Sequence, residues 1–168
     1  TVGCVIVRDG EIVGEGVTQP PGEEHAEIVA LAMAGDRARG ADMYVTLEPC
    51  CHVGRTDPCT QAIIKAEISR VFTGAIDPNP IVYGKGIEIL NSAHIAATVG
   101  TLGNECERHL APFKCFIKQG RPWVLLKAAV TLDGQIAAAS GHSQWVTGEN
   151  ARINAHQLRA KCDAVMVG

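Results

Sequence analysis

The chain has 168 residues, enough for one well-buried domain and part of another. Its 15 basic and 18 acidic side chains leave a net charge of −3 and are interspersed, so there is no basic stripe for a nucleic-acid backbone. The seven cysteines are unevenly spaced in a chain rich in Val, Ile and Ala, a pattern that predicts a reduced protein of the cell interior rather than a disulfide scaffold. No apolar run approaches the length of a membrane span, and no signal peptide is visible.

In chain order, Gly3 to Val7 is apolar and β-branched, and Asp9-Gly10 predicts a tight hairpin returning through Glu11 to Val17. Gln19-Pro20-Pro21-Gly22 is a loop. A helix begins near Glu23-Glu24, with Ile28, Leu31, Ala32 and Gly35 at helical spacing on the side expected to be buried. Ala41 to Glu48 reads as a strand. Asp57-Pro58-Cys59 reads as a helix start with Asp57 as cap, the helix continuing through Ala62, Ile63, Ala66 and Glu67. Ser69 to Ala75 is a strand, Asp77 to Pro80 a turn, Gly84 to Leu90 a short helix and Ile95 to Val99 a strand. Leu102 to Gln119 is expected as one long helix with Cys106, Leu110, Phe113 and Ile117 on one side. Gly120-Arg121-Pro122 marks a boundary. Beyond it, strands are expected over Trp123–Leu132, Gln135–Ala139 and Ala164–Val167, with a helix over Ala151–Ala160. The expected division is therefore residues 1–119 and 120–168.

The chemistry concentrates in two stretches, His25-Ala26-Glu27 and Pro49-Cys50-Cys51-His52-Val53-Gly54-Arg55-Thr56-Asp57-Pro58-Cys59. His-x-Glu followed by Pro-Cys-x-x-Cys is the signature of zinc nucleobase deaminases; here eight residues, not two, separate Cys50 from Cys59. A catalytic zinc takes three protein ligands and keeps one position for water, and His25, Cys50 and Cys59 can be the three. The metal lowers the pKa of that water for attack on a ring carbon bearing an exocyclic amine. Glu27, beside the metal but not on it, would shuttle protons to the ring and to the departing ammonia. Two plainer readings stand beside this one. A structural zinc would recruit Cys51 or His52 as a fourth ligand, although adjacent cysteines on an extended chain point apart and Glu27 would have no task. A Cys50–Cys59 disulfide would need an oxidising compartment. Two helix N-termini, one near His25 and one at Cys59, are expected to converge on the cluster and favour thiolates.

These motifs resemble the bifunctional riboflavin-biosynthesis family, a pyrimidine deaminase fused to a reductase. The resemblance rests on Val2-Gly3-Cys4-Val5-Ile6-Val7, His25-Ala26-Glu27, Thr46 to Cys59, Asp77-Pro78-Asn79-Pro80 and Gly84-Lys85-Gly86. In the tail it rests on Lys127, Thr131-Leu132-Asp133-Gly134, Ser143-Gln144-Trp145 and Leu158-Arg159-Ala160. It covers nearly the whole chain, and the Cys-x-His-x-Gly-Arg-Thr loop accounts for the eight-residue gap.

The resemblance implies an α/β protein. A cytidine-deaminase-like three-layer α/β/α domain is followed by the start of a dihydrofolate-reductase-like domain, in a chain that lacks the family's N-terminus and most of its reductase. It implies hydrolytic loss of the 2-amino group from a phosphoribosylamino diaminopyrimidine, and NADPH-dependent reduction of the ribose by the other half. It further implies zinc on His25, Cys50 and Cys59, with Glu27 moving protons and His52, Arg55 and Asn79 on the deaminase substrate. In the reductase half it places Ser143 and Arg159 on substrate, and Ala129 and Trp145 on the cofactor. A guanidinium suits a phosphate through its paired donors, which is the physical sense of Arg55. Departures from the family pattern are Cys51 where Ser is common, Val53, and Asp57 where Pro is common. A bacterial cytosol is the expected compartment, with a plastid as the other possibility, and a homo-oligomer is expected by analogy alone. Another deaminase of the same fold, acting on a nucleoside, nucleotide or tRNA, and a non-catalytic zinc-stabilised interaction domain are the alternatives.

Overall fold

The computed structural model describes residues 1–167, divided into two compact units, Thr1–Trp123 and a second that begins at Val124. The first unit is built on a five-stranded sheet with strand order β2-β1-β3-β4-β5. Strands β1 (Gly3–Arg8) and β2 (Glu11–Val17) form the hairpin. Asp9 and Gly10 both take positive φ, 53° and 82°, the backbone that a two-residue turn matching strand twist requires. β1 also pairs antiparallel with β3 (Asp42–Leu47), while β3, β4 (Arg70–Ala75) and β5 (Ala96–Val99) run parallel.

Alternation along the strands sends Cys4, Ile6, Met43, Val45 and Val71 to one face. There they pack with Ala26, Ala30 and Ala34 of α1 (Ala26–Ala34), Ile63 of α2 (Cys59–Lys65) and Leu90 of α3 (Lys85–Ser92). The buried side of α1 is thus Ala26, Glu27, Ala30 and Ala34, not Ile28, Leu31, Ala32 and Gly35. The cause lies in β2. A Cβ on Gly14 would sit 2.3 Å from the Ala30 carbonyl oxygen, and one on Gly16 2.1 Å from that of Ala26. The helix backbone rests directly on the strand, so its small side chains face inward and its larger ones are left at the edge.

The expected long helix is two helices, α4 (Gly103–His109) and α5 (Ala111–Gln119), meeting at Leu110. Pro112 lacks the N–H a continuous helix would use and disfavours helical backbone at the residue before it. Helix α4 packs on the other side of β4, where Gly74 leaves room: a Cβ there would lie 2.2 Å from Cys106 Sγ. Two further boundaries shift. Pro58, not Asp57, is the α2 N-cap residue, and α2 ends at Lys65.

In the second unit, α6 (Glu149–Arg159) forms as expected. The expected tail strands do not: within 124–167 the described backbone has turns and bends but no ladder. A strand exists only where a neighbour takes its N–H and C=O groups, and no described segment pairs with Val124–Val130. Among the described residues no helix is long and apolar enough to cross a membrane.

Gly16→Ala is expected to force α1 off β2 and to destabilise the first unit by about 1–3 kcal/mol. Thermal melting of the purified variant checks this, and an unchanged midpoint would contradict the close-packing account.

Candidate active site

Three chain crossings deliver the donors. His25 is the N-cap residue of α1, half-buried, with extended backbone (φ −75°, ψ 160°). Cys50 lies just past the C-terminal end of β3, in the crevice that parallel strands open at their carboxyl edge. Cys59 is the first residue of α2 and is wholly buried. His25 Nδ1 stands 3.2 Å from Cys59 Sγ and 3.5 Å from Cys50 Sγ, and the three donor atoms lie within 4.8 Å of one another. A tetrahedral zinc with nitrogen at about 2.0–2.1 Å and sulfur at about 2.3 Å separates such donors by roughly 3.5 Å, so the set fits the ion.

The electrostatics agree with that donor set. Cys50 Sγ accepts the Cys59 backbone N–H at 3.3 Å. The Cys59 thiol and this N–H, with His25 nearby, hold the Cys50 thiol down at about 5 against its burial. The Cys59 thiol is raised, first by its hydrogen bond to Cys50 and then by burial. Glu27, in the first turn of α1 and only 4% exposed, is pushed up to about 7, mainly by burial. Its carboxylate and two thiols share a small volume with one imidazole, a surplus of negative charge that a divalent cation would neutralise.

All seven cysteines are free, so Cys50 and Cys59 are not joined. Cys51 points elsewhere: its Sγ lies 4.0 Å from the Ile81 carbonyl oxygen, and it is not part of the three-donor group.

The loop between the two ligands carries His52 and Arg55. His52 is half-buried, and its Nδ1 is shut from solvent with no hydrogen-bond partner. Arg55 is exposed and makes no ion pair or side-chain hydrogen bond among the described residues. Asn79 belongs to a turn after β4. Its N–H donates to Asp77 Oδ1 at 2.8 Å, and its Oδ1 accepts the Ile81 N–H at 3.1 Å. One side of its amide is therefore committed to the turn, and the NH₂ is free for a ligand. The turn meets the ligand-bearing loop where Cys51 Sγ lies 4.0 Å from the Ile81 carbonyl oxygen, and the Asp77 carboxyl is raised, mainly by burial.

In the second unit, Ser143 and Trp145 line one cleft of about 350 Å³ with Thr131 and His142, and the Arg152 guanidinium lies 4.5 Å from the Trp145 ring centroid. Ala129 and Arg159 do not line that cleft.

Sequence reasoning passed over Glu48. It is 3% exposed, and its carboxylate accepts backbone N–H groups from Asp77, Gly84, Gly86 and Ile87. The available signal was an acidic residue between Leu47 and Pro49, at the buried end of a strand.

The sheet, the two helix starts and the His-Cys-Cys group with a buried glutamate define a zinc-deaminase-type domain. Residues 1–75 match the cytidine and deoxycytidylate deaminase zinc-binding region, and residues 122–168 match the RibD C-terminal domain. The riboflavin biosynthesis protein RibD of Synechocystis sp. is 53% identical over 167 residues, covering 99% of this chain and 45% of that protein. Among solved structures, Acinetobacter baumannii RibD is 46% identical with a TM-score of 0.80, covering 95% of this chain and 45% of that one. The diaminohydroxyphosphoribosylaminopyrimidine deaminase/5-amino-6-(5-phosphoribosylamino)uracil reductase of Thermotoga maritima is 41% identical with a TM-score of 0.84, covering 94% and 46%. Over nearly its whole length the chain is similar to RibD proteins. It spans about half the length of the curated relatives it matches.

In metal-free protein, Cys50 is expected to alkylate with a midpoint well below the ordinary thiol range near 9, because hydrogen bonds from Cys59 favour its thiolate. Mass spectrometry after pulsed iodoacetamide across pH reads this, and a midpoint near 9 would contradict the hydrogen-bonded arrangement.

Proposed function

We propose that this chain catalyses the hydrolytic deamination of 2,5-diamino-6-(5-phosphoribosylamino)pyrimidin-4(3H)-one, with His25, Cys50 and Cys59 as zinc ligands and Glu27 as the proton carrier. The observation that carries the reading is the convergence of those three donors within 4.8 Å beside a buried carboxylate, in a chain similar to RibD proteins. When bound, zinc would supply Lewis-acid activation of a water molecule. The balance is simple: water adds its oxygen to the ring carbon, the carbon–amine bond breaks, and ammonia leaves. Glu27 would carry water's first proton to the ring nitrogen and then its second, from the hydroxyl of the adduct, to the leaving amine. A pKa near 7 suits a group that must both accept and donate at neutral pH.

His52, with its buried unpartnered Nδ1, and Asn79, with its free NH₂, would bind the pyrimidine edge. Arg55, exposed and unpaired among the described residues, would take the phosphate. The alternative with a structural zinc is less well supported, because Cys51 stands apart from the donor group and Glu27 would be a buried carboxylate without a role. The mildly acidic charge disfavours a tRNA substrate.

The division at residues 119 and 120 belongs to the same proposal. The tail is read as the beginning of the reductase half, in which NADPH would meet Ala129 and Trp145, and substrate Ser143 and Arg159. That reaction is assigned to the longer protein of the relatives' kind, not to this stretch. A bacterial cytoplasm and a homo-oligomeric state complete the reading.

Glu27→Gln is expected to keep one zinc per chain and to lose about 10²–10⁴-fold in ammonia release. Zinc analysis and an ammonia assay on the same sample check it. Retained release in the variant would overturn the role of Glu27, and cytidine or tRNA adenosine turned over in place of the diaminopyrimidine would overturn the substrate.

A further inference from the structure

Glu48 is a buried carboxylate. None of the ion pairs among the described residues includes it. An isolated charge in that position is costly unless hydrogen bonds replace water. Here they do. Oε2 accepts the N–H of Asp77 at 3.2 Å and of Gly84 at 2.9 Å; Oε1 accepts the N–H of Gly86 at 2.9 Å and of Ile87 at 3.4 Å.

These four donors bracket the segment from the Asp77 turn to the first turn of α3. The segment wraps one side chain, and its ends are drawn together by that side chain. Four donors need four acceptor sites, and only an ionised carboxylate offers them all; a glutamine would aim an NH₂ at half of them.

The contact is tight on the other side too. A Cβ on Gly86 would sit 2.2 Å from the Pro49 carbonyl oxygen, so the start of α3 lies directly against the peptide that precedes Cys50. The Glu48 N–H donates to the Ala75 carbonyl at 2.9 Å, anchoring its backbone to the end of β4. One residue thus joins three things: the end of the β3–β4 ladder, the turn bearing the metal-ligand candidate Cys50, and the segment bearing Asn79.

We propose that Glu48 is a positioning residue that sets the Asn79 turn relative to Cys50, so that the substrate-binding segment and the metal-ligand turn move as one piece. The proposal rests on the deaminase reading for the part Asn79 plays, but the mechanical claim stands on the four N–H bonds alone. A role confined to stability would lower the melting temperature and nothing else. A positioning role separates substrate recognition from the chemical step, because zinc, Glu27 and Cys50 remain in place while the Asn79 turn loses its reference.

The test uses the zinc-loaded 168-residue chain as parent, with Glu48→Gln and Glu48→Asp, and with Ile6→Val as a core variant remote from the segment. Glu48→Gln is expected to hold one zinc per chain, to raise KM for the diaminopyrimidine phosphate at least tenfold, and to change kcat less than threefold. Amide exchange at Gly84 and Gly86 is expected to speed at least tenfold relative to β1, and the Asn79 side-chain amide resonances to shift. Ile6→Val is expected to lower the melting temperature with none of these changes. Unchanged exchange and unchanged Asn79 resonances in Glu48→Gln would overturn the proposal, as would loss of zinc. If the parent releases no ammonia, the functional reading fails by itself, and exchange with the Asn79 resonances still decides the positioning claim. Should Glu48→Gln not fold, Glu48→Asp, which keeps the charge but is one methylene shorter, is expected to show the same changes to a smaller degree; parent-like exchange and resonances in that variant would equally overturn it.

Discussion

The close approach of α1 to β2 is the constraint on which the rest depends. Gly14 and Gly16 let the helix backbone lie on the strand, with no side chain between them. That fixes the height of the first turn of α1, and with it the position of His25 and the burial of Glu27. Were the helix carried even a side chain's thickness further out, His25 Nδ1 would leave the 3.2–3.5 Å range of the two thiols. The small-residue face of α1 is therefore not a weak core face. It is what brings a helix start and a strand end close enough to set their donor atoms within 4.8 Å of one another.

From that contact the electrostatics follow. Two thiols and a carboxylate crowd one imidazole at the starts of α1 and α2, and the Cys59 N–H already leans on Cys50 Sγ. The arrangement favours the Cys50 thiolate, and burial pushes Glu27 up to about 7. Just past the end of β3, Glu48 solves a different problem with the same chemistry: a buried carboxylate is satisfied by backbone N–H groups. The two carboxylates are both buried and differ in surroundings. Glu27 faces the donor cluster, and Glu48 is enclosed by one chain segment.

The convergence of His25, Cys50 and Cys59 and the hairpin were legible in the sequence because both are local statements. His25-Ala26-Glu27 and Pro49-Cys50 announce themselves by spacing, and Asp9-Gly10 by turn chemistry. The buried side of α1 was misread because hydrophobicity favoured Ile28 and Leu31, whereas the glycines opposite selected Ala26, Ala30 and Ala34. The break at Leu110 was available in Pro112 and was outweighed by the apolar stripe running across it. The tail strands failed for another reason: residues 123–132 have strand-like composition, but a ladder needs a partner that composition does not supply. Glu48 stayed silent because its four partners lie 29 to 39 residues away, a tertiary fact without a local pattern.

Zinc K-edge absorption spectroscopy on the metal-loaded chain tests the central claim most directly. A first shell of two sulfurs at about 2.3 Å, with one nitrogen and one further light atom at about 2.0–2.1 Å, is the expected result, since His25, Cys50 and Cys59 leave one position open. A third sulfur in that shell would put Cys51 on the metal and contradict the account, replacing an open catalytic centre with a closed structural one.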